Sequence, residues 1–343
     1  MTQPEEHIDT NEALLEELSA VSNTPQAPIF ILGMMPRSGT NFLHRLICQH
    51  PDCGAINTTP VREDYLTHHI KWLSRYVRRL QWQWGNWGAD AEFVAPLSTS
   101  VGQGLTSFLQ SLSSAQRIVT KTPSVENLSA FFDYFADAYL LVIVRDGRSL
   151  VASGMSGFGW NFETATRRWS KTARSIIDFK NEHPEFADRF KLVHYEALND
   201  NTVQELRSVL TFLQLDADAY DFEAALDTPV YGSSFMKEEG KDMTWKPQEK
   251  KKDFNTKERW RSWGKFKHGR FNWIARRELE NLGYESVGIG DKGVFAGMLH
   301  RAVDGVYVTK RLPGRMFRAL REGSRAFVDS MKGKGRSKVN LKR

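Results

Sequence analysis

Residues 28–46, PIFILGMMPRSGTNFLHRL, constrain the fold more than any other stretch of this 343-residue chain. A strand-length apolar run leads into a Pro-Arg-Ser-Gly corner, and an apolar pattern of helical period follows. That order describes a buried strand, a tight turn and a helix N-terminus. Residues 28–34 are read as the strand and 42–49 as the helix. A strand without a polar face has both faces covered, as in a parallel α/β sheet.

The rest of the chain repeats the alternation. Short apolar runs at 117–120, 139–144 and 190–194 read as further buried strands, separated by helical stretches at 127–135, 162–179 and 202–212. Between 63 and 84, Leu66, Ile70, Leu73, Val77 and Leu80 recur at spacings of four and three, one apolar stripe on a helix whose other side holds Arg75, Arg78 and Arg79. The expected fold class is α/β, a central parallel sheet flanked by helices. Residues 232–270 lack periodicity and read as an irregular basic segment, after which 271–283 resume a helix that Gly283 ends.

The corner at residues 36–41 is suited to an anion, because a turn opening a helix converges backbone N–H groups on one point. A nucleoside-triphosphate loop requires G-x-x-x-x-G-K-[ST]. Counted from Gly33, Ser38 stands in the second glycine slot and Gly39 in the lysine slot; only Thr40 fits. A kinase or NTPase is therefore the disfavoured alternative, and Arg37 is left as the loop's cation.

Four segments, in order, resemble those of the PAPS-dependent sulfotransferases (PAPS is 3′-phosphoadenosine 5′-phosphosulfate). PRSGTNFL resembles the 5′-phosphosulfate loop, KTPSVENL at 121–128 the lysine segment, LVIVRDGRSLVAS at 141–153 the 3′-phosphate motif, and KLVHYEALNDNTVQELRSVLTFLQL at 191–215 the segment after the next strand. RWRSWGKF and ELENLGY are similar to the closing part of the tyrosyl-protein branch, and the resemblance covers about residues 28–285. It implies a P-loop NTPase-like sulfotransferase fold. It also implies transfer of a sulfuryl group from PAPS to a hydroxyl of a carbohydrate, lipid or other acceptor, with release of 3′,5′-ADP. PAPS would be the co-substrate, with no metal required.

Residue by residue, the resemblance puts Arg37, Ser38, Gly39, Thr40 and Asn41 around the 5′ end of the donor. Arg145 and Ser153 fall on its 3′-phosphate, Tyr195 near the adenine and Lys121 at the bridging oxygen. Asn41 replaces the family's usual second Thr, a change that keeps a donor group. The bland reading of Arg145 is an ion pair with Asp146 capping the next helix. Residues 250–270 are expected to add one more cation to the 3′-phosphate.

The acceptor hydroxyl needs a general base. Pro123 occupies the slot where cytosolic members carry a His, so the resemblance is closer to the tyrosyl-protein and bacterial branch. That branch places a Glu about 20 residues beyond the loop arginine. Glu63 is the candidate here, with Asp64 second and His68 or His69 behind them; a helix's first turn also favours such carboxylates for its dipole alone. A catalytically silent nucleotide-binding protein is the remaining alternative. Aromatic and basic residues between 61 and 100, Trp72, Trp82, Trp84 and Trp87 among them, are candidates to line an acceptor cleft.

Composition bounds the setting. Only Cys48 and Cys53 occur, which builds neither a disulfide framework nor a zinc site. The net charge of +6 is a property of the end of the chain: residues 301–343 hold 13 Lys/Arg against 3 Asp/Glu. Three parts are expected: a polar extension over 1–27, a sulfotransferase domain over 28–290 and a basic amphipathic tail over 291–343. In the tail, Met316, Phe317, Leu320, Phe327, Val328 and Met331 share a helical face beside arginines, which suits peripheral contact with an anionic membrane. No nucleic-acid motif accompanies the charge. With no basic-then-apolar leader at the N-terminus, a cytoplasmic location is expected, if need be peripheral at the inner membrane face.

Overall fold

Five strands form a parallel sheet in the order β2-β3-β1-β4-β5. They are β1 (Ile29–Gly33), β2 (Cys53–Ala55), β3 (Arg117–Thr122), β4 (Tyr139–Val144) and β5 (Phe190–His194). The computed structural model describes residues 26–56, 63–228, 258–288, 293 and 295–310. β1 lies at the centre and all five of its residues are buried, as its unbroken apolar sequence requires. Ile29 and Ile31 pack with Leu43 and Leu46 of α1 (Thr40–Ile47) and with Leu206, Val209 and Leu210 of α7 (Thr202–Phe212). Phe30, on the opposite face, meets Phe131 edge-on at 5.2 Å and Phe135 at 4.7 Å.

The remaining principal helices are α2 (Leu66–Gly85), α3 (Leu97–Ser111), α4 (Gly147–Phe158), α5 (Phe162–Glu182), α6 (Tyr195–Asp200) and α8 (Lys265–Asn281). No helix among the described residues is long and apolar enough to cross a membrane.

Four elements depart from the sequence reading. β2 has three residues, CGA, too short to show a pattern, and it is held only by its pairing with Arg117–Val119. The expected helix over 127–135 is a 3₁₀ turn, Leu128–Ala130, followed by one helical turn, Phe131–Tyr134; Asn127, at φ 66°, precludes an earlier start. α2 begins at Leu66 rather than 63, because Glu63 and Asp64 are held on β3 instead. α8 begins at Lys265, six residues before the expected start, and the segment preceding it contains a short 3₁₀ helix, Arg259–Ser262. Gly283 follows α8 at φ 83°, with the Tyr284 N–H bonded to the Leu279 carbonyl, the left-handed stop expected of it.

The described residues divide into two units. The larger comprises those up to Ser262 together with Ile274–Ser286. The smaller comprises Trp263–Trp273 and those beyond Val287. In it, Arg270 donates to the His300 carbonyl at 2.9 Å and pairs with Asp304, and Trp273 donates to Asp304 at 2.9 Å, so residues 295–310 form a helix pinned through Asp304. Residues 1–25 of the expected polar extension (1–27), most of the expected basic segment and the amphipathic face from Met316 to Met331 lie outside the described residues.

Ile31→Ala removes a fully buried side chain from the central strand and is expected to cost about 3 kcal/mol in urea unfolding. Trp87→Ala, at a site 75% exposed, is expected to stay within about 0.5 kcal/mol.

Candidate active site

The strand order decides where a ligand fits. From β1 the chain passes to β2 on one side of the sheet, and from β4 to β5 on the other. The loops after β1 and β4 therefore diverge and leave a crevice at the carboxyl ends of adjacent strands, the position where open α/β sheets bind ligands.

Both loops carry arginine into that crevice. The Arg145 guanidinium donates through Nη1 to the Arg37 carbonyl at 2.7 Å, and Arg37 donates through Nε to Ser153 Oγ at 3.1 Å. Arg145 lies with its Cζ 4.4 Å from the ring centroid of Tyr195, and Arg37 stands 5.5 Å from that of Phe158. Arg37, Arg145, Ser153 and Tyr195, spread over 158 residues of sequence, thus surround one point. Burial pulls the Arg37 pKa down to about 10, and the neighbouring Arg145 and Arg259 pull it the same way. A buried guanidinium whose charge two further arginines oppose is an environment suited to a multiply charged anion. Arg259 belongs to the 250–270 segment expected to add a cation, and its charge acts on Arg37.

The turn itself is conformationally demanding. Arg37 adopts φ 80°, in the left-handed region, and Gly39 adopts φ 104°. A Cβ on Gly39 would lie 2.4 Å from Tyr195 Cδ2, so the loop packs directly against the aromatic wall. Gly39 caps α1 without any side-chain bond, which leaves the first helical amides, those of Thr40 and Asn41, without intrahelical acceptors. Ser38 differs from the expectation that it faces a ligand: its hydroxyl donates to the Met35 carbonyl at 2.6 Å and its N–H also bonds there. Ser38 closes the turn, and the amides after it do the presenting.

Asp146 caps α4 through the N–H groups of Arg148 and Ser149 and pairs with Arg148 at 2.6 Å, while Arg148 stacks on Trp260 at 4.0 Å. The backbone of the corner is fixed from two other elements. Trp169 of α5 donates to the Arg145 carbonyl at 3.2 Å, and Glu196 of α6 accepts from the Asp146 N–H at 3.0 Å and from Tyr284 Oη at 3.0 Å.

One strand away, the end of β3 carries the other half of the site. Lys121, 8% exposed, faces Glu63 with Nζ–Oε1 3.4 Å. The residue after Glu63 explains why it stays there. Asp64 donates its N–H to the Lys121 carbonyl at 3.3 Å, and its carboxylate accepts from Leu66 N–H at 2.8 Å and from the Thr120 hydroxyl. Tyr65 N–H donates to Thr122 Oγ1 at 2.9 Å. Burial raises the Asp64 pKa, opposed by these hydrogen bonds. Asp64 is therefore a clamp that ties residues 63–66 to β3. Tyr65, at φ 51°, has its phenol pushed up to about 12 by desolvation and by its hydrogen bond to Glu63. His68 Nδ1 lies 2.8 Å from Ser124 Oγ and within 3.5 Å of Glu126, so its contacts lie toward the 124–126 turn; His69 is exposed beside it. Of the aromatic residues expected to line a cleft, Trp72, Trp82 and Trp87 are each more than half exposed, on α2 or just past its end, and Trp84 is partly buried. No cluster of metal-ligating side chains occurs among the described residues.

A parallel α/β protein with an arginine-rich anion crevice and a lysine–carboxylate pair beside it defines a class that handles charged groups. Comparison with known proteins makes the class specific. The sequence model of the Sulfotransferase family matches residues 28–219, and the chain belongs to this family. A Protein-tyrosine sulfotransferase of Drosophila melanogaster is 24% identical over 204 residues, 55% of this chain and 38% of that protein. Protein-tyrosine sulfotransferase 1 of Danio rerio is 26% identical over 225 residues, 60% of this chain and 62% of that one. The chain thus spans roughly two to three fifths of the length of the curated relatives it matches. Among solved structures, the sulfotransferase domain of the Synechococcus PCC 7002 olefin synthase aligns with TM-score 0.47 and 21% identity, over 76% of this chain and 96% of that one.

Asp64→Ala deletes several buried hydrogen bonds and is expected to cost about 2–3 kcal/mol, whereas Asp64→Asn keeps the acceptor for Leu66 and is expected to fold normally. Because the folded-state pKa of Asp64 is raised, this group's contribution to stability is lost as pH rises through that pKa; Asp64→Asn flattens that part of a stability–pH series measured by denaturant unfolding. Gly39→Ala is expected to fold with its anion crevice impaired, since a methyl there meets the Tyr195 ring; fluorescence-monitored binding of 3′,5′-ADP checks it.

Proposed function

We propose that this protein transfers a sulfuryl group from PAPS to a hydroxyl-bearing acceptor. The observation that carries the reading is the meeting of Arg37 and Arg145 at one crevice, with Ser153 and Tyr195 beside them. A donor with phosphate at one end and phosphosulfate at the other matches a site whose cations come from two loops. Arg37 and the amides of Gly39, Thr40 and Asn41 hold the phosphosulfate end. Arg145, Ser153 and Arg259 hold the 3′-phosphate, and Tyr195 borders the adenosine.

Chemistry takes place at β3. The acceptor oxygen attacks sulfur, its proton passes to the Glu63 carboxylate, and the bond from sulfur to the bridging oxygen breaks. Lys121 offsets the charge that develops on the departing 3′,5′-bisphosphate, a role suited to a compact ammonium. A sulfuryl group carries less charge than a phosphoryl group, so amides and fixed cations suffice by analogy with phosphoryl transfer, where positioning and neutralisation carry the catalysis. In the resting enzyme Glu63 and Lys121 neutralise each other at 3.4 Å. An arriving hydroxyl must slip between them, which gives the base access to the nucleophile and the lysine access to the leaving group.

The test is turnover: release of 3′,5′-ADP from PAPS in the presence of a panel of phenolic, saccharide and lipid hydroxyls. Glu63→Gln is expected to lower kcat about 10²–10⁴-fold with the donor still bound, and Lys121→Ala to lower it comparably. A Glu63→Gln enzyme that turns over like wild type would remove Glu63 from the reaction. Absence of release with every acceptor, despite tight 3′,5′-ADP binding, would favour a silent nucleotide-binding protein.

A further inference from the structure

Helix α2 carries a surface that the reaction does not use. From Tyr65 to Ala89 the sequence has no Asp or Glu, while Lys71, Arg75, Arg78 and Arg79 supply four positive charges. Ile70 and Val77, seven residues apart, are buried and fix the helix's inner line. The opposite side presents Trp72, Tyr76 and Trp82, each more than half exposed, and Trp87 follows in the turn beyond.

Rings and cations occupy that side as pairs. Lys71 and Arg75 approach the Trp72 ring at 5.5 and 4.9 Å, and Arg79 approaches the Trp82 ring at 4.9 Å. Exposed indoles held beside guanidiniums lose hydration in neither part when the face meets a layer that is apolar below and anionic above. The exposed side of a single helix is a convex ridge. It lacks the pockets in which a protein partner's anchor residues are desolvated, whereas a ridge of this kind settles into a deformable headgroup layer.

We propose that α2 docks the protein on an anionic lipid surface, with Trp72, Tyr76 and Trp82 at headgroup depth and Arg75, Arg78 and Arg79 among the lipid phosphates. Charge complementarity selects the lipid: Lys71 is paired with Glu126 at 3.7 Å, while Arg75, Arg78 and Arg79 bring three charges to the face and match an anionic leaflet. The proposal is independent of the chemistry assigned to the crevice, and it differs from contact through the basic tail.

Co-flotation of the full chain with vesicles of equimolar phosphatidylglycerol and phosphatidylcholine tests it. Wild type is expected to float with these vesicles and not with pure phosphatidylcholine. Removing two cations in Arg75→Gln/Arg79→Gln is expected to weaken partitioning about 30-fold. Trp72→Ala/Trp82→Ala is expected to weaken it about tenfold or more by loss of inserted apolar area. Unchanged 3′,5′-ADP binding verifies that both variants fold, since none of these side chains belongs to the crevice. Flotation of both variants at the wild-type level overturns the proposal, as does flotation abolished by removal of residues 311–343 alone. A solution dimer that the same substitutions dissolve would assign the face to a second copy and would also overturn it.

Discussion

One hydrogen bond organises the crevice: the Arg145 guanidinium donating to the backbone carbonyl of Arg37. It joins the loops that leave two adjacent central strands in opposite directions, and it makes the left-handed conformation of Arg37 part of the ligand site. Without that tie the two loops would be independent surface turns. With it, a strained residue, a glycine packed on Tyr195 and an arginine whose charge Arg145 and Arg259 oppose are held together. Strain and repulsion of this kind persist only where the surrounding structure over-determines them. Here the buried sheet below, Trp169 behind and Glu196 beside supply that constraint.

The second half of the site follows a different logic. Glu63 sits just before α2, and it meets Lys121 because its neighbour is bolted to the strand. Asp64 donates its N–H to the Lys121 carbonyl and accepts from the Leu66 N–H and the Thr120 hydroxyl. Two adjacent carboxylates thus take separate roles: the buried one is structural and the accessible one stands against the lysine. Environment, not residue type, makes the distinction, as it does wherever paired acids divide their work.

Much of this was legible in the sequence, for reasons that can be named. β1 and β4 are apolar throughout because both faces are covered, and Arg37 and Arg145 stand where apolar runs stop, so their positions at strand ends could be read directly. Lys121 was legible on the same ground. The roles within the Glu63-Asp64 pair were not, because burial and hydrogen bonding depend on Thr120 and Thr122, more than 50 residues away. Ser38 was legible as part of the turn but not as its internal latch. Arg259 could not be chosen from a segment without periodicity; its effect on Arg37 depends on contacts that the sequence does not show. The sequence offers the rings of α2 as candidate cleft lining without showing which side of the helix is buried; Ile70 and Val77 mark that side.

The central claim is that Arg37 and Arg145 hold opposite ends of a single sulfated nucleotide. Calorimetric titration of 3′,5′-ADP and PAPS into wild type, Arg37→Ala, Arg145→Ala and the double variant tests it most directly. The account expects Arg145→Ala to weaken both ligands, by about 1.5–3 kcal/mol, and Arg37→Ala to weaken PAPS more than 3′,5′-ADP. It also expects the double variant to depart from additivity, because the two side chains share one ligand and one loop contact. Additive losses with no preference between the two ligands, or equal binding of ATP with magnesium, would contradict it.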